Sequence, residues 1–197
     1  MFDGKFRKGV DSVTAPIGRG LAAIGLSADV LTGFGLVMSG ASAVAIGAGQ
    51  LVLGTVFLVI TALSDLLDGP VAAARGTSSS RGAFFDSTAD RVTDGLLLGG
   101  IAWYLAGEHG AQWAVLPMAV LGVSAVISYE RAKAELLGFE AKGGLMERAE
   151  RTVVLAVAVA FEVLLIPLLW VLLALSVVTA VMRFVKVWRQ ASTRMSQ

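Results

Sequence analysis

Two neighbouring apolar stretches, residues 51–74 and 82–106, each carry a pair of aspartates. Asp65 and Asp68 lie in the first stretch, Asp86 and Asp90 in the second. Both stretches are long enough to cross the ~30 Å hydrocarbon core of a bilayer as helices. A charged side chain at that depth costs roughly 2.5–3.5 kcal/mol even on lenient insertion scales. Four carboxylates together need a compensating partner, and a divalent cation is the cheapest. The fold must therefore turn these acids toward one another rather than toward lipid.

The rest of the chain supports a membrane setting. Of its 197 residues 56% are hydrophobic and only 16% charged, against about 25% charged in a typical soluble domain. One small globular core could not hide that much apolar surface. The absence of cysteine excludes disulfides, thiolate metal sites and cysteine nucleophiles. With His109 the only histidine, a metal here has to be held by oxygen.

Length and flanks predict an all-α polytopic membrane protein with six spans near 29–47, 51–74, 82–106, 112–136, 149–168 and 170–189. The first two meet at a tight turn over Gly47 to Gly49, and the last two meet near Pro167. Ahead of them, Phe2 to Leu26 mixes Lys5, Arg7, Lys8 and Arg19 with apolar residues, the pattern of an amphipathic helix lying in the interface. That segment lacks the apolar run and cleavage site of a signal peptide, so it is expected to stay in the mature chain. The whole, 1–197, reads as one membrane domain: 1–26 interfacial helix and connection, 29–189 six-helix bundle, 190–197 tail. Small residues between Gly33 and Gly54 should let helices pack closely.

Cations give the orientation. Lys5, Arg7, Lys8 and Arg19 precede the first span, while Arg75, Arg81 and Arg91 surround the second connection. Arg131, Lys133, Lys142, Arg148 and Arg151 flank the fourth, and Arg183, Lys186, Arg189 and Arg194 end the chain. The opposite connections, 47–50, 107–111 and 166–170, hold no Lys or Arg. Both termini and the aspartates are therefore expected on the cytoplasmic side of the cell membrane.

Asp65 and Asp68 are three apart and Asp86 and Asp90 four apart, so each pair shares a helical face. Adjacent antiparallel helices can join the two faces into a carboxylate cage suited to Mg²⁺ or Mn²⁺. Gly69 and Gly82 permit close approach of a backbone or phosphate. Arg75, Arg81 and the hydroxyls of Thr77 to Ser80 offer phosphate donors at the helix mouths. Asp3, Asp11 and Asp94 read more simply, as caps or interface charges. Trp103, Tyr104 and Trp113, with Trp170 and Trp188, read as interfacial belt residues. His109 falls in an outer loop, away from the acids. Glu162, inside the fifth span, reads either as lying near the outer interface or as pairing with a group the sequence does not identify.

The run Asp65-x2-Asp68-Gly69-x2-Ala72-x9-Gly82-x3-Asp86-x3-Asp90 resembles the signature of the CDP-alcohol phosphatidyltransferases. The family's Arg after the Ala is replaced by Ala73, and Arg75 is the nearest cation. Thr14-Ala15-Pro16-Ile17, the run from Gly25 to Thr32, Ser128-Tyr129 and Glu147-Arg148-Ala149-Glu150-Arg151 are similar to actinobacterial phosphatidylinositol phosphate synthases within that family. Two departures are Ser27-Ala28, where Thr-Pro is more usual, and Arg131-Ala132-Lys133, where the two cations are exchanged.

The resemblance implies transfer of a phosphatidyl group from CDP-diacylglycerol to an inositol phosphate, with CMP released. It implies two divalent ions on Asp65, Asp68 and Asp86, with Asp90 at or beside the second and acting as general base. Ser27, Asp29, Val30, Gly69 and Ser79 match positions that contact the CDP-lipid, and Arg75 joins them as the nearest cation to the missing Arg. Arg131 and Arg151 match acceptor-phosphate positions, with Arg183 and Lys133 as further candidates. The relatives imply a homodimer in membrane lipid; no nucleic-acid partner is expected. Glycerol 3-phosphate as acceptor is the alternative reading. A cation-coupled transporter is a second, weakened by the lack of an internal repeat and by acids gathered toward one membrane side.

Overall fold

Seven α-helices and one 3-10 turn make up the computed structural model, which describes residues 5–141 and 143–195. They are α1 (Lys5–Ala23), α2 (Ala28–Gly47), α3 (Leu51–Arg75), α4 (Ser80–Glu108), α5 (Val115–Leu136, preceded by the 3-10 turn Ala111–Ala114), α6 (Arg148–Ala160) and α7 (Glu162–Met195). The side chains of Asp3, Lys5, Arg7, Lys8, Asp11 and Lys142 lie outside the described residues, as do 196–197. The chain divides into two compact units, Phe2–Tyr104 and Leu105–Gln197.

Local chemistry sets the helix ends of the first unit. Gly25, at φ +90°, lets the chain leave α1, and Ser27 caps α2 by accepting from the Val30 N–H. Gly49, at φ +79°, turns α2 into α3 where the sequence places a tight turn. Gly76 ends α3 in the left-handed conformation, its N–H returning to the carbonyls of Ala72 and Ala73. Ser79 then starts α4, its hydroxyl accepting from the Gly82 N–H at 3.1 Å.

α2 and α3 form an antiparallel hairpin joined through small residues, as the sequence suggests. Ser42 Oγ donates to the Gly54 carbonyl at 2.8 Å, and Thr61 Oγ1 shares its proton between the carbonyls of Phe57 in its own helix (3.0 Å) and Gly35 (3.2 Å). A Cβ on Gly35 would already touch Ser64. This close, hydrogen-bonded seam takes the place of large apolar knobs, which gain little against lipid. α4 approaches α2 as tightly: a Cβ on Gly100 would lie 2.5 Å from the Ala43 carbonyl oxygen. α1 packs on α3, with Gly18 against Pro70.

In the second unit, α5 and α6 both pack on α7. Glu147 and Glu150 form a capping box at the start of α6. The preceding loop is fixed to α7 by the Leu145 and Met146 N–H groups, which donate to Thr179 Oγ1 at 3.2 and 3.0 Å.

Among the described residues, four helices are long and apolar enough to cross a membrane: Ala28–Gly47, Leu51–Arg75, Ala111–Leu136 and Glu162–Arg194. α4 has the length but carries Arg81, Asp86, Asp90, Arg91 and Asp94 in its first half. α6, at 13 residues, rises only about 20 Å. The last break in the chain falls at Phe161 rather than near Pro167, which α7 contains. Phe161 takes extended angles and Glu162 opens α7. A carboxylate in a first turn is favoured by the unpaired N–H groups there, which accounts for Glu162. Pro167 lies in the second turn of α7 and forgoes one i→i−4 hydrogen bond there. Tyr104 and Asp94 also differ from expectation, being buried at 6% and 7% exposure, whereas Trp103, Trp170 and Trp188 are exposed as belt residues should be.

Candidate active site

The α2–α3 seam ends in the acids. Asp65 and Asp68 lie within one turn of α3, and Asp86 lies in the second turn of α4. Each of the three offers an oxygen within 4.8 Å of the other two, and all are half-buried. Three carboxylates this close repel one another unless a cation intervenes. Their all-oxygen donor set fits a hard divalent ion. Thr32 of α2 donates to Asp68 Oδ2 at 2.8 Å. Asp90 stands one turn further along α4, outside the three-carboxylate group, and pairs with Arg91 Nη2 at 3.2 Å.

Beside the acids is a cavity of about 430 Å³. Its wall contains Ser27, Asp29, Gly69, Arg75 and Ser79, five of the six residues assigned to a CDP-lipid; Val30 is half exposed and outside the lining. Both helix-capping serines face this space, so α2 and α4 begin at it. Two helix N-termini present unpaired backbone N–H groups and the positive ends of two dipoles, a setting that attracts phosphate. Gly69 has open space where a Cβ would stand. Arg81 is ion-paired with Asp29. Arg75 uses Nη1 on the carbonyls of Gly25 and Leu26, at 2.7 and 2.8 Å, which ties the α1–α2 connection to the end of α3. Arg75 thus lines the cavity, while Ala73 is not among the lining residues.

The proposed acceptor cations belong to the other unit. Arg131 and Lys133 are exposed on α5, and Arg131 Nε pairs with Glu135 at 3.0 Å. Arg151 on α6 and Arg183 on α7 are buried, at 2% and 4% exposure. Arg183 donates to the carbonyls of Ile127 (2.9 Å) and Gly143 (3.2 Å) and lies 3.7 Å from Glu147. Two arms of its guanidinium thus hold α5 and the loop before α6. Sequence reasoning missed this clamp, because the carbonyls involved have no signature. It also missed Thr32, whose reach to Asp68 follows only from the register of α2 against α3.

The model of the CDP-alcohol phosphatidyltransferase family matches residues 26–188. The chain belongs to this family. Phosphatidylinositol phosphate synthase of Mycobacterium marinum is 35% identical over 186 residues, covering 89% of this chain and 80% of the relative. That of Mycobacterium tuberculosis is 36% identical over 186 residues, covering 89% and 86%. The crystal structure of the Mycobacterium tuberculosis enzyme with CDP-DAG bound superposes with a TM-score of 0.81 at 34% identity, covering 90% of this chain and 94% of that one. The same enzyme in complex with manganese and citrate gives a TM-score of 0.81 at 34% identity, covering 89% and 88%. In this phosphatidyltransferase, an integral membrane protein, Asp65, Asp68 and Asp86 are the cluster that can hold a divalent metal.

Proposed function

We propose that the chain transfers the phosphatidyl group of CDP-diacylglycerol to 1D-myo-inositol 3-phosphate, giving phosphatidylinositol phosphate and CMP. The observation that carries this reading is the convergence of three carboxylates beside a cavity where two helices begin. The CDP-lipid pyrophosphate lies against the N-termini of α2 and α4, near Arg75 and Arg81. Ser27, Asp29, Val30, Gly69 and Ser79 contact the donor. Asp65, Asp68 and Asp86, with Asp90 beside the second position, hold two ions of Mg²⁺ or Mn²⁺. When bound, those ions neutralise the pyrophosphate and the charge developing on CMP. Asp90 takes the proton of the attacking inositol hydroxyl. That oxygen bonds to the lipid-side phosphorus, and the bond from this phosphorus to the CMP oxygen breaks. Arg131, Arg151 and Arg183, with Lys133, bind the acceptor's phosphate.

The setting proposed for this chemistry is a single six-span membrane domain with an interfacial α1, both termini and the site cytoplasmic, assembled as a homodimer. The six-span reading counts α4 and α6 as spans beside the four long apolar helices. CMP release from CDP-diacylglycerol tests the reaction, with inositol 3-phosphate, glycerol 3-phosphate, inositol and serine supplied in parallel. Turnover is expected with inositol 3-phosphate and almost none with free inositol. Equal use of glycerol 3-phosphate would replace the acceptor and keep the reaction class. Ion movement without CMP release would overturn both.

A further inference from the structure

The Asp68 carboxylate accepts a hydrogen bond from a side chain of another helix. Thr32 Oγ1 stands 2.8 Å from Asp68 Oδ2 and 3.1 Å from the carbonyl of Ala28 in its own helix. A hydroxyl has one proton to give. The carboxylate is the closer and, being charged, the stronger acceptor. Its bond commits one lone pair of Oδ2 and limits rotation about the Asp68 side chain. The Gly69 N–H adds a backbone hydrogen bond to the same carboxylate, and the remaining lone pairs stay available to a cation. A neutral donor does this without cancelling the negative charge that a cation needs, as an arginine would. The same contact continues the α2–α3 register set by Thr61 with Gly35 and Ser42 with Gly54. The placement of Thr32 is therefore dictated by the helix seam.

We propose that Thr32 is a positioning residue for the divalent-metal cluster, holding the Asp68 carboxylate in its ligating orientation. The proposal rests on the metal reading of Asp65, Asp68 and Asp86. Groups that orient metal ligands typically contribute 10–100-fold to metal affinity. Valine is nearly isosteric with threonine, so Thr32→Val removes the hydroxyl and keeps the packing.

The test is Mn²⁺ binding to purified protein, read by electron paramagnetic resonance without CDP-lipid or acceptor. Thr32→Val, and Thr32→Ala as a second deletion of the hydroxyl, should raise the Mn²⁺ Kd by about 10-fold or more. Thr32→Ser should restore it to near the parent value. In an Asp68→Ala background, Thr32→Val should have no further effect on Mn²⁺ binding. Parent-like Mn²⁺ affinity in Thr32→Val would overturn the proposal while leaving the metal cluster standing. So would failure of Thr32→Ser to rescue. Absence of saturable Mn²⁺ binding by the parent protein would overturn the metal reading itself.

Discussion

Gly99 and Gly100 are adjacent in α4, yet substitution by alanine should move the protein in opposite directions. A Cβ on Gly100 would lie 2.5 Å from the Ala43 carbonyl oxygen and 2.7 Å from Ala43 Cα. Both are backbone atoms, so no side chain can rotate away. To reach a contact of 3.4 Å, α2 and α4 must part by about 0.9 Å. Overpacking of this kind costs roughly 1–3 kcal/mol. For a chain of this size that lowers the melting temperature by about 2–4 °C per kcal/mol.

A Cβ on Gly99 meets nothing within 4 Å. There, alanine removes glycine's helix penalty of about 0.8–1 kcal/mol and should raise the melting temperature slightly. The two helices that part in Gly100→Ala also carry Asp29 and Asp86 at the cavity, and a misplacement of about 1 Å can cost 100-fold in rate. Thermal melting and CMP release, measured on both variants, provide the test. Gly100→Ala should melt several degrees below Gly99→Ala and turn over markedly more slowly. Equal melting temperatures and equal rates would refute the close α2–α4 contact.

Asp90→Asn should abolish CMP release without lowering the melting temperature, checked by turnover and thermal unfolding on one preparation. Arg151→Ala should raise the KM for inositol 3-phosphate more than the KM for CDP-diacylglycerol, which separates acceptor binding from donor binding. Thr179→Val deprives the N–H groups of Leu145 and Met146 of their acceptor. At about 1–3 kcal/mol for a buried donor left unsatisfied, it should destabilise the chain by roughly that amount, read as a lower melting temperature.

The aspartate pairs were legible because their demand is local. Charge in an apolar run needs a partner, and spacings of three and four put each pair on one face. The α2–α3 hairpin was legible too, through its glycine turn and its run of small residues. The end of the sixth helix was less so. Pro167 is the louder breaker in the sequence, but Glu162 marks the start of α7, because a carboxylate belongs in a first turn. Asp94 read as a cap or interface charge because nothing in its neighbours reveals that it and Thr93 are buried while most of the first half of α4 is exposed. Thr32 and Arg183 act across helices, one on a carboxylate and one on carbonyl groups. Such contacts depend on register and depth, which pattern alone does not carry.

The central claim is that Asp65, Asp68 and Asp86 together hold a divalent cation at the phosphatidyl-transfer site. The most direct measurement is anomalous diffraction at the manganese edge from crystals of this protein grown with Mn²⁺. The account predicts a peak within coordinating distance of all three carboxylates. Density at manganese concentrations that support CMP release, but located away from these residues, would contradict it.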